Sequence, residues 1–195
     1  MNYYKLGINP DGKKWKGYMN VSSFVSDENG NEFSDVKLEK VQEFKGDLCI
    51  GLLREGKIPP VISIGSRFLA FDSNIFDGDF CPAGAKLTKL SCGDKYNYML
   101  VRICNYVDCV DWSSSKVDLW PAGYTPEEWE NKRGRFFIEP VLQKNKIPRD
   151  LDIFRLSEWG GAFNIIISEC FKNKLLGFEF DDSFLEFREL VVKDA

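Results

Sequence analysis

Three segments near the C-terminal end decide the fold prediction: Phe154-Arg155-Leu156, Ile165-Ile166-Ile167-Ser168-Glu169-Cys170-Phe171 and Gly177-Phe178-Glu179-Phe180. The first two begin as short, mostly apolar runs, which are typical of buried strands. Ser168 is placed to cap a helix, because a serine oxygen accepts an early amide N–H. Gly177 is placed at the end of that helix. We therefore predict a strand, a second strand leading into a helix, and a third strand.

Strands are also predicted upstream of this region. Tyr3 to Ile8 reads as an edge strand, and Val61 to Ile64 reads as a buried one. Alternate residues of a strand point to opposite faces, and residues 96–110 would place apolar side chains on both faces, which indicates a central strand. The apolar residues of 36–44 fit neither the helix period nor the strand period alone, so the sequence does not decide between a helix and a strand there.

An internal similarity points to a repeated unit. Val61-Ile62-Ser63-Ile64-Gly65-Ser66-Arg67-Phe68 resembles residues 164–171, and we predict a helix from Gly65 through Phe71. Chance similarity between the two segments is the alternative. The fold class is predicted as α+β, with a mixed, mainly antiparallel sheet and a few short helices. It includes the possibility of two similar strand-helix-strand units.

Length and spacing favour one domain. The chain has 195 residues, enough for a single sizeable core. No stretch of linker composition is long enough to divide it. We predict a single domain over residues 1–195, with a possible N-terminal lobe over 1–60 and a C-terminal lobe over 61–195.

The composition of the chain excludes several classes of function. The chain has no histidine, which excludes Ser-His-Asp and Cys-His catalysis and His-ligated zinc. The net charge of -4 argues against nucleic-acid binding, which normally shows a basic footprint. The six cysteines lack metal-type spacing. We predict no metal, no cofactor, no membrane span and no enzymatic activity, and the absence of an export signal predicts a cytoplasmic protein.

Acidic residues and one arginine are the remaining candidates for chemistry. Asp72, Asp77 and Asp79 read as turn acids, with a cation site or a carboxylate-dependent hydrolase as alternatives. Arg155 stands in an otherwise apolar strand. If it is buried it needs a carboxylate partner, and Asp108 and Asp111 are the candidates. An outward-facing Arg155 is the alternative.

The C-terminal segments resemble a known family. Asn105 to Trp112 with Ser115, Asp152 to Leu156, and Ile166 to Phe180 are similar to motifs of the bacterial polymorphic-toxin immunity family numbered eleven. The resemblance covers about residues 60–182 and departs from the pattern in Ile167 and in a shorter helix before Gly177. The motif positions are mainly structural in this interpretation. They are Asp111, Phe154, Arg155, Ser168, Gly177 and Phe180.

The resemblance implies an intracellular antitoxin that takes part in competition between bacteria, as in type VI secretion. Its partner would be a cognate secreted toxin encoded by the adjacent gene, bound and neutralised by direct contact. Recognition is expected in loops outside the motif. The candidate partner-binding residues are Asp72, Asp77, Asp79, Trp112, Trp120, Glu158 and Trp159. An acidic interaction module of another bacterial assembly is a further alternative.

Overall fold

The computed structural model describes residues 1–9, 15–41, 43–44, 46–76, 80–93, 96–127, 134, 136–157, 164–178 and 184–194. Over these residues the fold is α+β with mixed, mainly antiparallel sheets, as predicted. The helices are α1 (Asp35–Lys40) and α2 (Glu169–Gly177), with 3₁₀ turns at Ser73–Phe76 and Lys144–Lys146. The strands are β1 (Tyr3–Ile8), β2 (Asn20–Ser26), β3 (Glu32–Phe33), β4 (Leu48–Arg54), β5 (Val61–Ile64), β6 (Phe68–Asp72), β7 (Ala85–Cys92), β8 (Tyr96–Ile103), β9 (Tyr106–Val107), β10 (Lys116–Asp118), β11 (Phe136–Glu139), β12 (Val141–Gln143), β13 (Ile153–Leu156), β14 (Ile165–Ser168), β15 (Leu185–Glu189) and β16 (Val191–Lys193).

A five-stranded sheet carries the C-terminal motif. Its order is β15-β1-β14-β13-β9, and its pairs are antiparallel except for β13 with β9. The prediction that residues 3–8 form an edge strand is wrong, because β1 lies between β14 and β15. Both neighbours of β1 come from the last third of the chain, and a local pattern does not reveal such distant partners.

A seven-stranded sheet holds most of the first half of the chain. Its order is β3-β2-β4-β7-β8-β6-β5, with β4 and β7 the parallel pair. Strand β8 is central, as predicted, since it pairs with β6 and β7. The predicted strand over 96–110 is broken after Ile103, and β9 joins the other sheet. Two small sheets, β10-β11 and β12-β16, complete the described strands.

The core consists of three apolar clusters among the described residues. The first lies between the two large sheets and includes Phe71 and Val101 from one, Ile167 from the other, and Phe171 of α2. The second covers the opposite face of the seven-stranded sheet and contains Leu38 of α1. The third covers the far face of the five-stranded sheet.

Burial on both faces explains the continuous apolar runs of the motif. Ile165 and Ile167 enter the first cluster, whereas Ile166 and Phe154 enter the third. Successive residues of a strand point to opposite faces, so a sheet that is buried on both sides needs an apolar residue at every position. The run of three isoleucines is therefore a consequence of where β14 lies.

Both predicted ends of α2 are confirmed. Ser168 is the N-cap, and its Oγ accepts the Phe171 amide N–H at 3.1 Å. Gly177 is the last helical residue, and Phe178 is the C-cap with an extended backbone. The strand predicted around Phe180 lies outside the described residues, as does Phe180 itself. Helix α1 begins at Asp35, is capped by Ser34, and covers the first part of residues 36–44, for which the sequence left helix and strand open.

The helix predicted from Gly65 through Phe71 is wrong. Gly65 has a φ of 57° and begins a tight turn, after which β6 pairs back on β5 in an antiparallel hairpin. A left-handed residue reverses the chain, whereas a helix N-cap has an extended backbone, as at Ser168. Of the two alternatives for the internal similarity, a pair of similar strand-helix-strand units is therefore excluded, because its first member is a hairpin.

Candidate functional site

Residues 119–124 form an exposed aromatic loop after β10. The rings of Trp120 and Tyr124 stack, with centroids 4.5 Å apart and planes 23° from parallel. A turn closes the loop, because the Tyr124 amide donates to the Pro121 carbonyl oxygen at 3.0 Å. Leu119 is 63% exposed and Tyr124 is 44% exposed, whereas Trp120 between them is half-buried. The loop therefore presents a preassembled apolar and aromatic surface to solvent.

The segment before β10 is held by an aspartate turn. One carboxylate oxygen of Asp111 accepts the Ser113 amide at 3.0 Å, the Ser113 hydroxyl at 2.6 Å and the Ser114 amide at 3.2 Å. The hydrogen bonds with these serines lower the pKa of Asp111 to about 2. Trp112 is half-buried, with its ring 4.7 Å from that of Phe137. Trp112 therefore packs on the third core cluster, while Trp120, which is also half-buried, stacks on the exposed Tyr124.

The other predicted partner-binding residues are spread over the molecule. Asp72 ends β6 in the seven-stranded sheet, where its carboxylate accepts the Asn74 amide at 2.9 Å. Trp112 and Trp120 instead flank β10, in a different sheet. Four further candidates lie outside the described residues: Asp77, Asp79, Glu158 and Trp159.

A cleft lined by three cationic side chains is a second candidate site, which the sequence did not reveal. It has a volume of about 490 Å³ and lies where α1 faces both large sheets. We call it the arginine cleft and define it by Glu39, Phe68, Lys86, Arg102, Tyr106 and Arg155.

Arg155 lies at the buried end of the arginine cleft, with an exposed fraction of 1%. Its Nη2 donates to the Arg67 carbonyl oxygen, and its guanidinium lies 5.6 Å from the centre of the Phe68 ring. Its Nη1 has no hydrogen-bond partner among the described residues. Burial lowers the pKa of Arg155, although Tyr106 and Glu39 act in the opposite direction.

The structure therefore decides between the two alternatives for Arg155 in favour of burial, but the carboxylate partners predicted for that case are wrong. The carboxylate that acts on Arg155 is that of Glu39, not those of Asp108 or Asp111. Asp111 is engaged in its own serine turn. Glu39 comes from α1, more than a hundred residues earlier in the chain, and no local pattern connects the two positions.

Helix α1 is fastened above the cleft by a polar network. Glu39 accepts hydrogen bonds from Arg67 Nη1 and from the Tyr106 hydroxyl. Asp35 accepts the Ser66 amide at 3.0 Å and the Ser66 hydroxyl at 3.1 Å. Burial and the hydrogen bond to Glu39 raise the pKa of Tyr106 to about 12. The negative charge of Glu39 is therefore already engaged.

Lys86 and Arg102 form a wall of the cleft. They are directly opposite one another on the antiparallel strands β7 and β8. Arg102 donates to the Val41 carbonyl oxygen, and its guanidinium lies 4.8 Å from the centre of the Phe44 ring. The only sequence signal for this wall was an arginine within an apolar strand, the same signal that singled out Arg155.

No protein-family model matches the chain, and no curated protein matches it.

Within the part of the chain that the structure describes, no helix is both long and apolar enough to cross a membrane. No group of three or more Cys, Asp or Glu side chains able to hold a metal ion occurs among the described residues.

Proposed function

We propose that this chain is an immunity protein that binds a cognate toxin, encoded by the adjacent gene, and neutralises it by direct contact in the cytoplasm. The similarity of the C-terminal segments to the immunity family motivates the proposal. The exposed aromatic loop is the structural observation that carries it, because it offers a surface suited to a protein partner.

The aromatic loop has the chemistry of an interface anchor. Tryptophan and tyrosine are enriched among the residues that dominate binding energies, since they bury a large area with few rotatable bonds. The stack of Trp120 on Tyr124 restricts both rings before a partner arrives. Less side-chain entropy is then lost on binding, which favours affinity. The neighbouring Leu119 extends the apolar area of the same surface.

The family-like motif has a different role in this proposal. Phe154 and Ser168 are fully buried, and Gly177 ends a helix. Such positions support a stable scaffold rather than contact a partner. Recognition then belongs to surface loops, where substitution leaves the core intact. The negative net charge favours fast association with a basic toxin at low ionic strength.

Co-purification with the product of the adjacent gene tests the proposal. We expect a stable complex, and we expect co-expression to rescue cells that produce the toxin. Replacing both Trp120 and Tyr124 by Ala should weaken the complex by at least about tenfold. Phe24→Ala is the matched control, since Phe24 is 49% exposed in β2, outside the aromatic loop. Absence of both binding and rescue would refute the proposal.

A further inference from the structure

The arginine cleft combines two features that a folded protein normally avoids. A guanidinium is buried with one nitrogen unpaired among the described residues, and two cations stand opposite each other on neighbouring strands. An unsatisfied buried donor on a charged group is unfavourable. Like charges directly opposite one another in a sheet are also unfavourable. Both features line the same cleft.

We propose that the arginine cleft is a binding site for a carboxylate. A carboxylate between Lys86 and Arg102 would turn their mutual repulsion into two charge-assisted interactions. Arg155 would act from the floor as a fixed positive charge. The site has a volume in the usual range for small-ligand pockets. This inference does not depend on the proposed toxin binding.

The charge of the cleft favours a carboxylate over a phosphate. Its lining includes the cations Lys86, Arg102 and Arg155 and the carboxylates Glu39 and Glu43, an excess of one positive charge. One carboxylate balances that excess. A phosphate dianion would leave excess negative charge beside the two glutamates, where the partly buried setting screens repulsion less than water does.

The position of Arg155 fits a supporting role. Its polar contacts hold it from behind, through the Arg67 carbonyl and the Phe68 ring, so its charge cannot swing out to solvent without breaking them. Lys86 is exposed and Arg102 is half-buried, so an entering anion meets these side chains first. Glu39 is held by Arg67 and Tyr106, and the charge of Glu43 acts on Arg102, so the proposed carboxylate would add to the interactions that Arg102 already has.

Two probes distinguish the sources of the carboxylate. Acetate represents a free small molecule, and a peptide with blocked ends and one glutamate represents an acidic protein side chain. Binding is followed by the NMR shifts of the arginine side-chain N–H groups in the full chain. Saturable shifts with acetate support a free-carboxylate site, and saturation by the peptide alone supports a protein carboxylate. No saturable shift with either probe overturns the proposal.

Substitutions that remove one charge test whether Lys86 and Arg102 bind the carboxylate. Lys86→Gln and Arg102→Gln are each expected to weaken binding of the saturating probe by about tenfold, the loss of one charge-assisted contact. Lys89→Gln is the matched control, since Lys89 is exposed on the same strand but pairs with Met99. An equal loss in the Lys89 variant would overturn the proposal, because it would show a general charge effect. Tighter binding of inorganic phosphate would overturn the assignment to a carboxylate.

Discussion

Ser168 and Asp152 join the start of α2 to the start of β13. The Ser168 hydroxyl donates to one carboxylate oxygen of Asp152 at 3.2 Å, while the same hydroxyl oxygen accepts the Phe171 amide at 3.1 Å. The second oxygen of Asp152 accepts the Ala83 amide at 3.1 Å. One buried serine therefore caps a helix and orients an aspartate that holds the turn before β7.

Ser168→Ala should destabilise the fold by about 1–2 kcal/mol, because the cap bond and the bond to Asp152 are lost together in a buried place. Ser34→Ala removes the corresponding cap of α1, where the bond to Lys37 is longer, at 3.4 Å, and lies nearer the surface. We expect a smaller loss there, about 0.5 kcal/mol. Urea unfolding of both variants checks the order, and equal losses would contradict it.

Gly84→Ala should destabilise the fold by at least about 2 kcal/mol. Gly84 has a φ of 102°, and an added Cβ would stand 2.1 Å from the Ile153 carbonyl oxygen. Gly177→Ala is the matched control, because nothing lies within 4 Å of its added Cβ and the residue is helical. That change should stabilise the protein by about 0.5 kcal/mol. Thermal melts of the two variants should move in opposite directions.

The Asp111 turn should stabilise the fold in a pH-dependent way. A carboxyl whose folded pKa lies near 2 contributes stability above its unfolded pKa of about 4 and loses it as the pH falls toward 2. Carbon-detected NMR should therefore show the Asp111 carboxyl titrating with a midpoint near 2. Ser113→Ala should raise that midpoint, because it removes the 2.6 Å hydroxyl bond. A midpoint near 4 in the unmodified chain would contradict the geometry.

The two tryptophans around β10 should respond differently to truncation. Trp112→Ala removes a ring packed on Phe137 and should lower the free energy of unfolding by about 2–3 kcal/mol, since Trp112 is only half-buried. Trp120→Ala also removes a half-buried ring, but one that stacks on the exposed Tyr124 rather than on the core, so it should change that free energy by only about 1 kcal/mol while weakening toxin binding. Calorimetric melting with binding titrations separates the two effects. A large loss of stability in the Trp120 variant would place that ring in the core.

Arg155→Met and Arg155→Ala should differ in stability. Methionine removes the buried charge and refills most of the volume, so the removed desolvation penalty offsets the loss of the bond to Arg67. Alanine leaves a cavity as well and should be less stable than the Met variant by about 2 kcal/mol. Chemical denaturation compares them. If the Met variant is as unstable as the Ala variant, the charge itself stabilises the fold.

The parts of the fold that follow local rules were predictable from the sequence. The isoleucine run of β14 and the Ser168 cap fall within eight residues, and the structure confirms both. The hairpin at Gly65 was missed because a strand followed by a small residue and serine reads alike before a turn and before a helix. Only the left-handed φ of Gly65 separates the two cases.

The arginine cleft could not be predicted from the sequence, for a different reason. Its side chains come from α1, β6, β7, β8, β9 and β13, and the chain crosses between sheets to bring them together. Arg155 stood out in the sequence as a charge in an apolar strand, but its true neighbours depend on the packing of α1. Sequence spacing thus identified the unusual residue without identifying its surroundings.

The position of β1 has a consequence for the order of folding. Its two hydrogen-bonded neighbours, β14 and β15, begin at Ile165 and Leu185. The first strand to be synthesised therefore cannot pair until two of the last strands have been made. Contacts of such long sequence separation slow folding, because the intervening chain must be ordered first. During translation the five-stranded sheet therefore remains open until the C-terminal strands leave the ribosome. Its apolar strand edges are exposed to other chains for most of that time.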